Sequence, residues 1–296
     1  MTHPRNNLLA WIAAIAAYTI WGAMPLFWRL FEGTPAFVVF IHRCLWSFPF
    51  LVLLTLLANR QASAVLVFDR GRWPWLVLSG FLIGANWWIY IFGVESHQVV
   101  EMSLGYFMAP LLTAAMGVFV LREKLSRGQW LGVGMVIVGT LVYGFTVSRV
   151  PMLAIGLAAT FSGYSLVRKL VKAPPLSALT TEACFLFLVS VFFLLTNRPD
   201  PSFAEAWTKH GAMLVLGGGL TALPLLWFAY GVRGLTLTSL GMINYISPTG
   251  KFLIAILIFG EVVTDQQIWA FSILWLGIIV YLASTFRRNL IPLQPE

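Results

Sequence analysis

The chain has 296 residues, of which 59% are hydrophobic and 10% charged, with a formal net charge of +8. A soluble protein of this length has nowhere to hide so much apolar surface, whereas a bilayer solvates it. The basic residues form no patch longer than three, which argues against a nucleic-acid partner, and two cysteines, Cys44 and Cys184, make no disulfide framework.

A membrane span needs about 20 mostly apolar residues. The first such stretch, 8–28, is too long for a signal-peptide core and lacks a clear small-residue cleavage site, so it is expected to stay as a helix. Further stretches follow at 35–57, 74–94, 98–121, 128–147, 151–168, 177–196, 211–232, 236–259 and 264–285. Breaks carry the usual punctuation, as in Glu32-Gly33-Thr34-Pro35, Arg70-Gly71-Arg72 and Lys172-Ala173-Pro174-Pro175. No break leaves room for a soluble domain. The expected fold class is all-α: a polytopic membrane protein of ten transmembrane helices.

The second half of the chain echoes the first at an offset of 138 residues. LGYFMAPL from Leu104 falls on MINYISPT from Met242, so Pro110 matches Pro248 and Glu123 matches Glu261. Ser126 matches Thr264, Gln129 matches Gln267 and Gly139 matches Gly277. A shift of 140 lays His42 on Glu182. The expected division is into five-helix repeats at 1–147 and 148–296. Five is odd, so the two copies enter the membrane from opposite sides and are inverted. Inverted helical repeats mark many secondary transporters.

Lys and Arg are unevenly shared between the two expected sides. One side holds Arg5, Arg60, Arg70, Arg72, Arg122, Lys124, Arg127, Arg168, Lys169, Lys172, Arg233, Arg287 and Arg288, and the other holds Arg29, Arg149, Arg198 and Lys209. This bias places both termini in the cytoplasm.

A charge near the middle of a bilayer costs roughly 2.5–3.5 kcal/mol on insertion scales, so each needs a reason. His42, Arg43, Asn86, Glu101, Glu182 and Lys251 fall inside apolar stretches. They either neutralise one another as bundle glue, with Arg43 and Lys251 paired to Glu101, or line a water-accessible cavity. Two helical stripes favour the cavity: Ser103, Tyr106, Pro110, Thr113 and Gly117, and their repeat partners Gly241, Asn244, Pro248, Lys251 and Ala255. With Tyr245, these give the candidate translocation residues His42, Arg43, Asn86, Glu101, Tyr106, Glu182, Asn244, Tyr245 and Lys251. Pro25, Pro110, Pro224 and Pro248 are expected to break helices and free the carbonyl four residues earlier. Arg43 and Lys251 favour a substrate with an anionic or strongly polar group, whereas Trp21 and Trp28 favour a flat or cationic one.

No metal-ligand spacing joins His3, His42, His97 and His210, and no hydrolase, zinc-protease or P-loop pattern occurs. No enzyme activity, metal or cofactor is expected.

AAYTIWGAMPLFW from Ala16, IHRCLWSF from Ile41, GANWWIYI from Gly84, EMSLGYFMAPL from Glu101, GYSLVRK from Gly163, TALPLLWF from Thr221 and INYISPT from Ile243 resemble the RarD family. That family belongs to the EamA-type branch of the drug/metabolite transporter superfamily. The resemblance covers nearly the whole chain. It implies ten helices, a bacterial inner-membrane location and a permease often labelled with chloramphenicol resistance or sensitivity. Ile246-Ser247-Pro248 departs from the family's Ile-Gly-Pro. Together these readings point to a secondary transporter of a small metabolite or drug, with a lipid bilayer and small-molecule substrate as partners and a homodimer as an option. Two readings of coupling stay open: protons carried by Glu182 and Glu101 with His42 as relay, or uniport or exchange without ions in which these groups only bind substrate. The alternative is a membrane scaffold or sensor without flux.

Overall fold

The structure is a computed structural model that describes residues 4–58, 71–96, 98–144, 151–171, 173–196, 201–260 and 264–290. The chain is all-α, and the described residues contain no strand. Helix α1 (Pro4–Trp28) runs into a 3-10 turn at Arg29–Phe31 and is followed by α2 (Ala36–Ala58), α3 (Trp73–Glu95) and α4 (Val99–Phe119). Next come α5 (Arg127–Gly144), α6 (Met152–Leu170), α7 (Pro175–Thr196) and α8 (Pro201–Gly234). The chain ends with α9 (Leu237–Asn244), α10 (Ile246–Leu257) and α11 (Asp265–Leu290).

Among the described residues, eight helical segments are long and apolar enough to cross a bilayer, with α9 and α10 together forming one of them. The fifth and sixth expected spans are present as α5 and α6, but both are less apolar. Arg168 and Lys169 occupy the last turn of α6, and Gly128, Gly132, Gly134 and Gly139 thin α5. The expected start of the eighth span at Gly211 has a backbone cause. His210 leaves helical geometry (φ −132°, ψ 16°), so Pro201–Gly234 is two helical pieces joined at a kink.

Leu, Ile, Phe and Val cover the outside, and small residues fill the seams between helices, as expected where lipid removes the usual hydrophobic drive for packing. One close seam joins α5 to α11. A Cβ on Gly132 would lie 2.7 Å from the carbonyl of Gly277, and one on Gly277 would lie 2.8 Å from that of Gly132. The α4–α9 crossing is equally close, since a Cβ on Gly241 would sit 2.5 Å from the Pro110 carbonyl. Elsewhere α4 packs on α6, α1 on α8 and α10, α2 on α7 and α8, and α3 on α6 and α7.

The helix starts that match across the 138-residue offset are built alike. Gln129 N–H reaches Ser126 Oγ at 3.3 Å while Ser126 N–H reaches Gln129 Oε1 at 2.8 Å. Gln267 N–H reaches Thr264 Oγ1 at 3.3 Å and Thr264 N–H reaches Gln267 Oε1 at 3.0 Å. Both are reciprocal capping boxes. Just before them, Arg122 (φ 56°) and Gly260 (φ 70°) occupy the left-handed region at equivalent positions.

Candidate functional site

A cavity of about 440 Å³ lies between α1, α2, α3, α4, α6, α8, α9 and α10. Such a volume suits a small-molecule site. Its residues lie near the end of α1 and the starts of α2 and α4. Deeper in the bundle the cavity ends on packed aromatic rings. Trp21, at the cavity wall, packs on Phe161 (6.0 Å), Phe228 (5.7 Å) and Tyr18 (5.4 Å), and Tyr164 stacks on Phe228 at 5.7 Å. Tyr18, Tyr164 and Phe228 are fully buried.

Two cations face this space. The Arg43 guanidinium lies 4.7 Å from the ring centres of both Trp28 and Trp87, and its Nε donates to Thr221 Oγ1 at 3.1 Å. The Lys251 ammonium stands 3.3 Å from the centre of the Tyr106 ring. At the rim, exposed Arg29 lies over Phe259 at 4.7 Å. Each contact between a cation and an aromatic face is worth about 0.5–2 kcal/mol, more as water is excluded. Asn86 donates to the Leu157 carbonyl (2.8 Å) and to Thr160 Oγ1 (3.0 Å), which anchors α3 to α6 beside the cavity.

The prolines act on the same space. Contrary to the expectation of helix breaks, α1, α4 and α8 run on through Pro25, Pro110 and Pro224, and only Pro248, in the first turn of α10, stands beside a break. Each lacks the amide that would bond the carbonyl four residues earlier. Those carbonyls belong to Trp21, Tyr106, Leu220 and Asn244, and all four residues line the cavity.

Of the nine residues singled out from sequence, the structure brings together Arg43, Asn86, Tyr106, Asn244 and Lys251. Tyr245 and His42 are buried elsewhere. The Tyr245 hydroxyl donates to the Phe107 carbonyl at 2.9 Å, inside the seam between α4 and the last helices. His42 stacks at 6.1 Å on Trp207. Glu182 sits outside the central cavity and is ion-paired to Arg168 at 2.9 Å. It also accepts from Ser79 Oγ at 2.5 Å and from the Tyr164 hydroxyl at 3.3 Å. Arg168 is therefore a buried partner rather than part of a loop. The side chain of Glu101 lies outside the described residues, as does Glu261.

Sequence reading missed Trp87, Thr221 and Ser247. The offset of 138 matches Thr221 to Ile83 and Ser247 to Ala109, which also line the cavity, but both partners are apolar and carry no signal in the sequence. A larger groove of about 650 Å³ runs between α4, α5 and α6. It is lined almost wholly by Leu, Ile, Val, Ala, Met and aromatic side chains, so the polar chemistry belongs to the smaller cavity.

Comparison with known proteins agrees with this architecture. Residues 8–145 match the EamA-like transporter family. Protein RarD of Escherichia coli is 34% identical over 279 residues, covering 91% of this chain and 92% of that protein. The chain belongs to the RarD family. An uncharacterized transporter of Vibrio cholerae is 33% identical over 273 residues, covering 91% of this chain and 90% of the relative. A solved crystal structure superposes with a TM-score of 0.73 over 93% of this chain and 97% of its own, at 17% identity, which speaks to the fold alone. This RarD-family chain is a multi-pass membrane protein of the drug/metabolite transporter kind.

Proposed function

We propose that the chain is a secondary transporter of the bacterial inner membrane. It moves a small metabolite or drug by alternating access, with both termini in the cytoplasm and α5 and α6 completing ten spans. The observation that carries this reading is the cavity itself, which gathers Arg43, Asn86, Tyr106, Asn244 and Lys251 from both halves of the chain inside an apolar bundle. A scaffold has no need to keep charged groups around an open space at that depth.

The division into inverted repeats at 1–147 and 148–296 is supported by the packing. An exchange of the two halves pairs α5 with α11, α4 with α9 and α2 with α7, and each of these pairs is in contact. The same exchange turns α1 on α8 into α6 on α3, and α2 on α8 into α7 on α3; these contacts are present too. With the lysine and arginine bias, the cavity faces outward, and the aromatic packing around Phe228 separates it from the cytoplasm.

Proton coupling belongs to this reading, with the carrier narrowed. Glu182 is held by an ion pair and two hydroxyls, which suits a fixed carboxylate. Glu101 and His42 remain as carrier and relay. Single cysteines at Tyr106 and Asn244 test alternating access in right-side-out and inverted vesicles. In a transporter, each site is labelled from both sides, with substrate shifting the balance. Labelling from one side only, together with no flux across a metabolite panel in proteoliposomes, would establish a scaffold or sensor instead.

A further inference from the structure

We infer that the central cavity recognises a small organic anion, through a carboxylate or phosphate held between Arg43 and Lys251. This inference rests on the transport reading of the cavity. The sequence leaves two opposed choices, since the cations favour an anion and the tryptophans favour a cation. The structure separates them. The faces of Trp28 and Trp87 are already covered by the Arg43 guanidinium, and the face of Tyr106 by the Lys251 ammonium. At the rim, Phe259 carries Arg29. Three of the cavity's aromatic faces are thus taken by the protein's own cations, while Trp21 and Phe161 pack on each other and Tyr90 packs on Tyr106.

What those cations still offer is their hydrogen-bonding edge. Flanked by two indoles and tied through Nε to Thr221, the Arg43 guanidinium is fixed in orientation. A fixed guanidinium presents parallel N–H donors, which match the two oxygens of a carboxylate or phosphate. Lys251 adds a second, more compact charge from α10. No carboxylate lines the cavity among the described residues, so the described surface supplies no counter-charge of its own. The carbonyls freed by Pro25, Pro110, Pro224 and Pro248 add acceptors around the same space. They suit hydroxyl or N–H donors on the rest of the molecule, with Trp21 and Phe161 against its apolar part.

Titration calorimetry of the purified protein in nanodiscs, with four probes of matched size, tests this. Benzoate and phenyl phosphate are expected to bind, and benzyl alcohol and benzylamine are not. R43Q and K251Q lie on different helices, and each should weaken both oxyanions by about tenfold or more. R43K keeps the charge but loses the fork, so it should weaken benzoate too. Binding of benzylamine or benzyl alcohol without either oxyanion overturns the anionic class and leaves the transport reading in place. Oxyanion affinity that survives in R43Q and K251Q alike also overturns it, as does restoration of wild-type affinity in R43Q by E101Q, which would show Glu101 to be the built-in partner. Oxyanion binding with one-sided cysteine labelling at Tyr106 and Asn244 and no flux in proteoliposomes would instead refute transport and keep the anion site.

Discussion

The carboxylate of Glu123 accepts both the backbone amide (2.9 Å) and the hydroxyl (2.5 Å) of Thr238, 115 residues further along the chain. Its other oxygen takes the amide of Leu237 at 2.6 Å. Two of the open donors at the start of α9 are thereby satisfied by an anion, which the helix dipole also favours there. The left-handed Arg122 turns the chain after α4 and precedes this contact directly. Beside it, Lys169 donates to the carbonyls of Val232 (2.8 Å) and Leu235, at the end of α8. The turn between α8 and α9 is thus gripped from both sides, at the end of the bundle away from the cavity.

Replacing Glu123 with Ala should therefore lower stability by about 2 kcal/mol, since buried amide donors lose their acceptor. Gly117→Ala should act on the same contact. Its Cβ would fall 2.6 Å from Glu123 Oε2 and 2.8 Å from Thr238 Oγ1. The two changes share one interaction, so the double variant should cost little more than the worse single one. Additive losses in thermal unfolding would mean that Gly117 serves a different contact.

The ion pair between Arg168 and Glu182 predicts a different pattern. Removing one partner of a buried pair leaves an uncompensated charge and typically costs about 3–5 kcal/mol. Glu182→Gln and Arg168→Met should each sharply reduce the folded yield. The double variant, which removes both charges, should recover much of it. The folded fraction of Glu182→Gln is expected to keep gradient-driven uptake, because the residue lies outside the central cavity. Loss of uphill transport at full folded yield would restore Glu182 as the proton carrier.

Several of these features were legible in the sequence, and the reasons are local. Span length, capping residues and the Pro110–Pro248 correspondence are properties of short segments, so periodicity and offset report them. The pair Arg168–Glu182 is not local. Arg168 ends an apolar stretch beside Lys169 and Lys172, so it reads as a loop cation until Glu182 of α7 is found 2.9 Å from it. The division within Asn244-Tyr245 and His42-Arg43 was available but unused. Adjacent residues on a helix point about 100° apart, so one neighbour can face a cavity while the other faces the core. The break between α9 and α10 adds to this, since Pro248 removes the donor for the Asn244 carbonyl.

That division gives a paired prediction. Tyr245→Phe deletes a hydroxyl that bonds the Phe107 carbonyl, and it should cost about 1–2 kcal/mol with substrate affinity unchanged. Asn244→Ala should weaken substrate binding with a smaller effect on stability, because its side chain faces the cavity. Binding and thermal unfolding measured on both variants check this. A change in affinity from Tyr245→Phe alone would reverse the assignment.

His42 is the remaining test of coupling. Its ring stacks at 6.1 Å and 16° on Trp207, which in turn stacks on Trp46 at 5.7 Å. Neither ring nitrogen meets a hydrogen-bond partner among the described residues. An unpaired buried polar group is costly, so a purely structural residue at this position would be better as an aromatic hydrocarbon. His42→Phe is accordingly expected to match or exceed the wild type in stability, by up to about 1 kcal/mol, while preserving the stack on Trp207. If His42 relays protons, the same variant should lose substrate accumulation in vesicles under an imposed pH gradient yet keep exchange of labelled for unlabelled substrate. That combination cannot arise from misfolding, because exchange needs the intact cavity. Full accumulation by His42→Phe would remove the relay and leave Glu101 to carry the coupling alone.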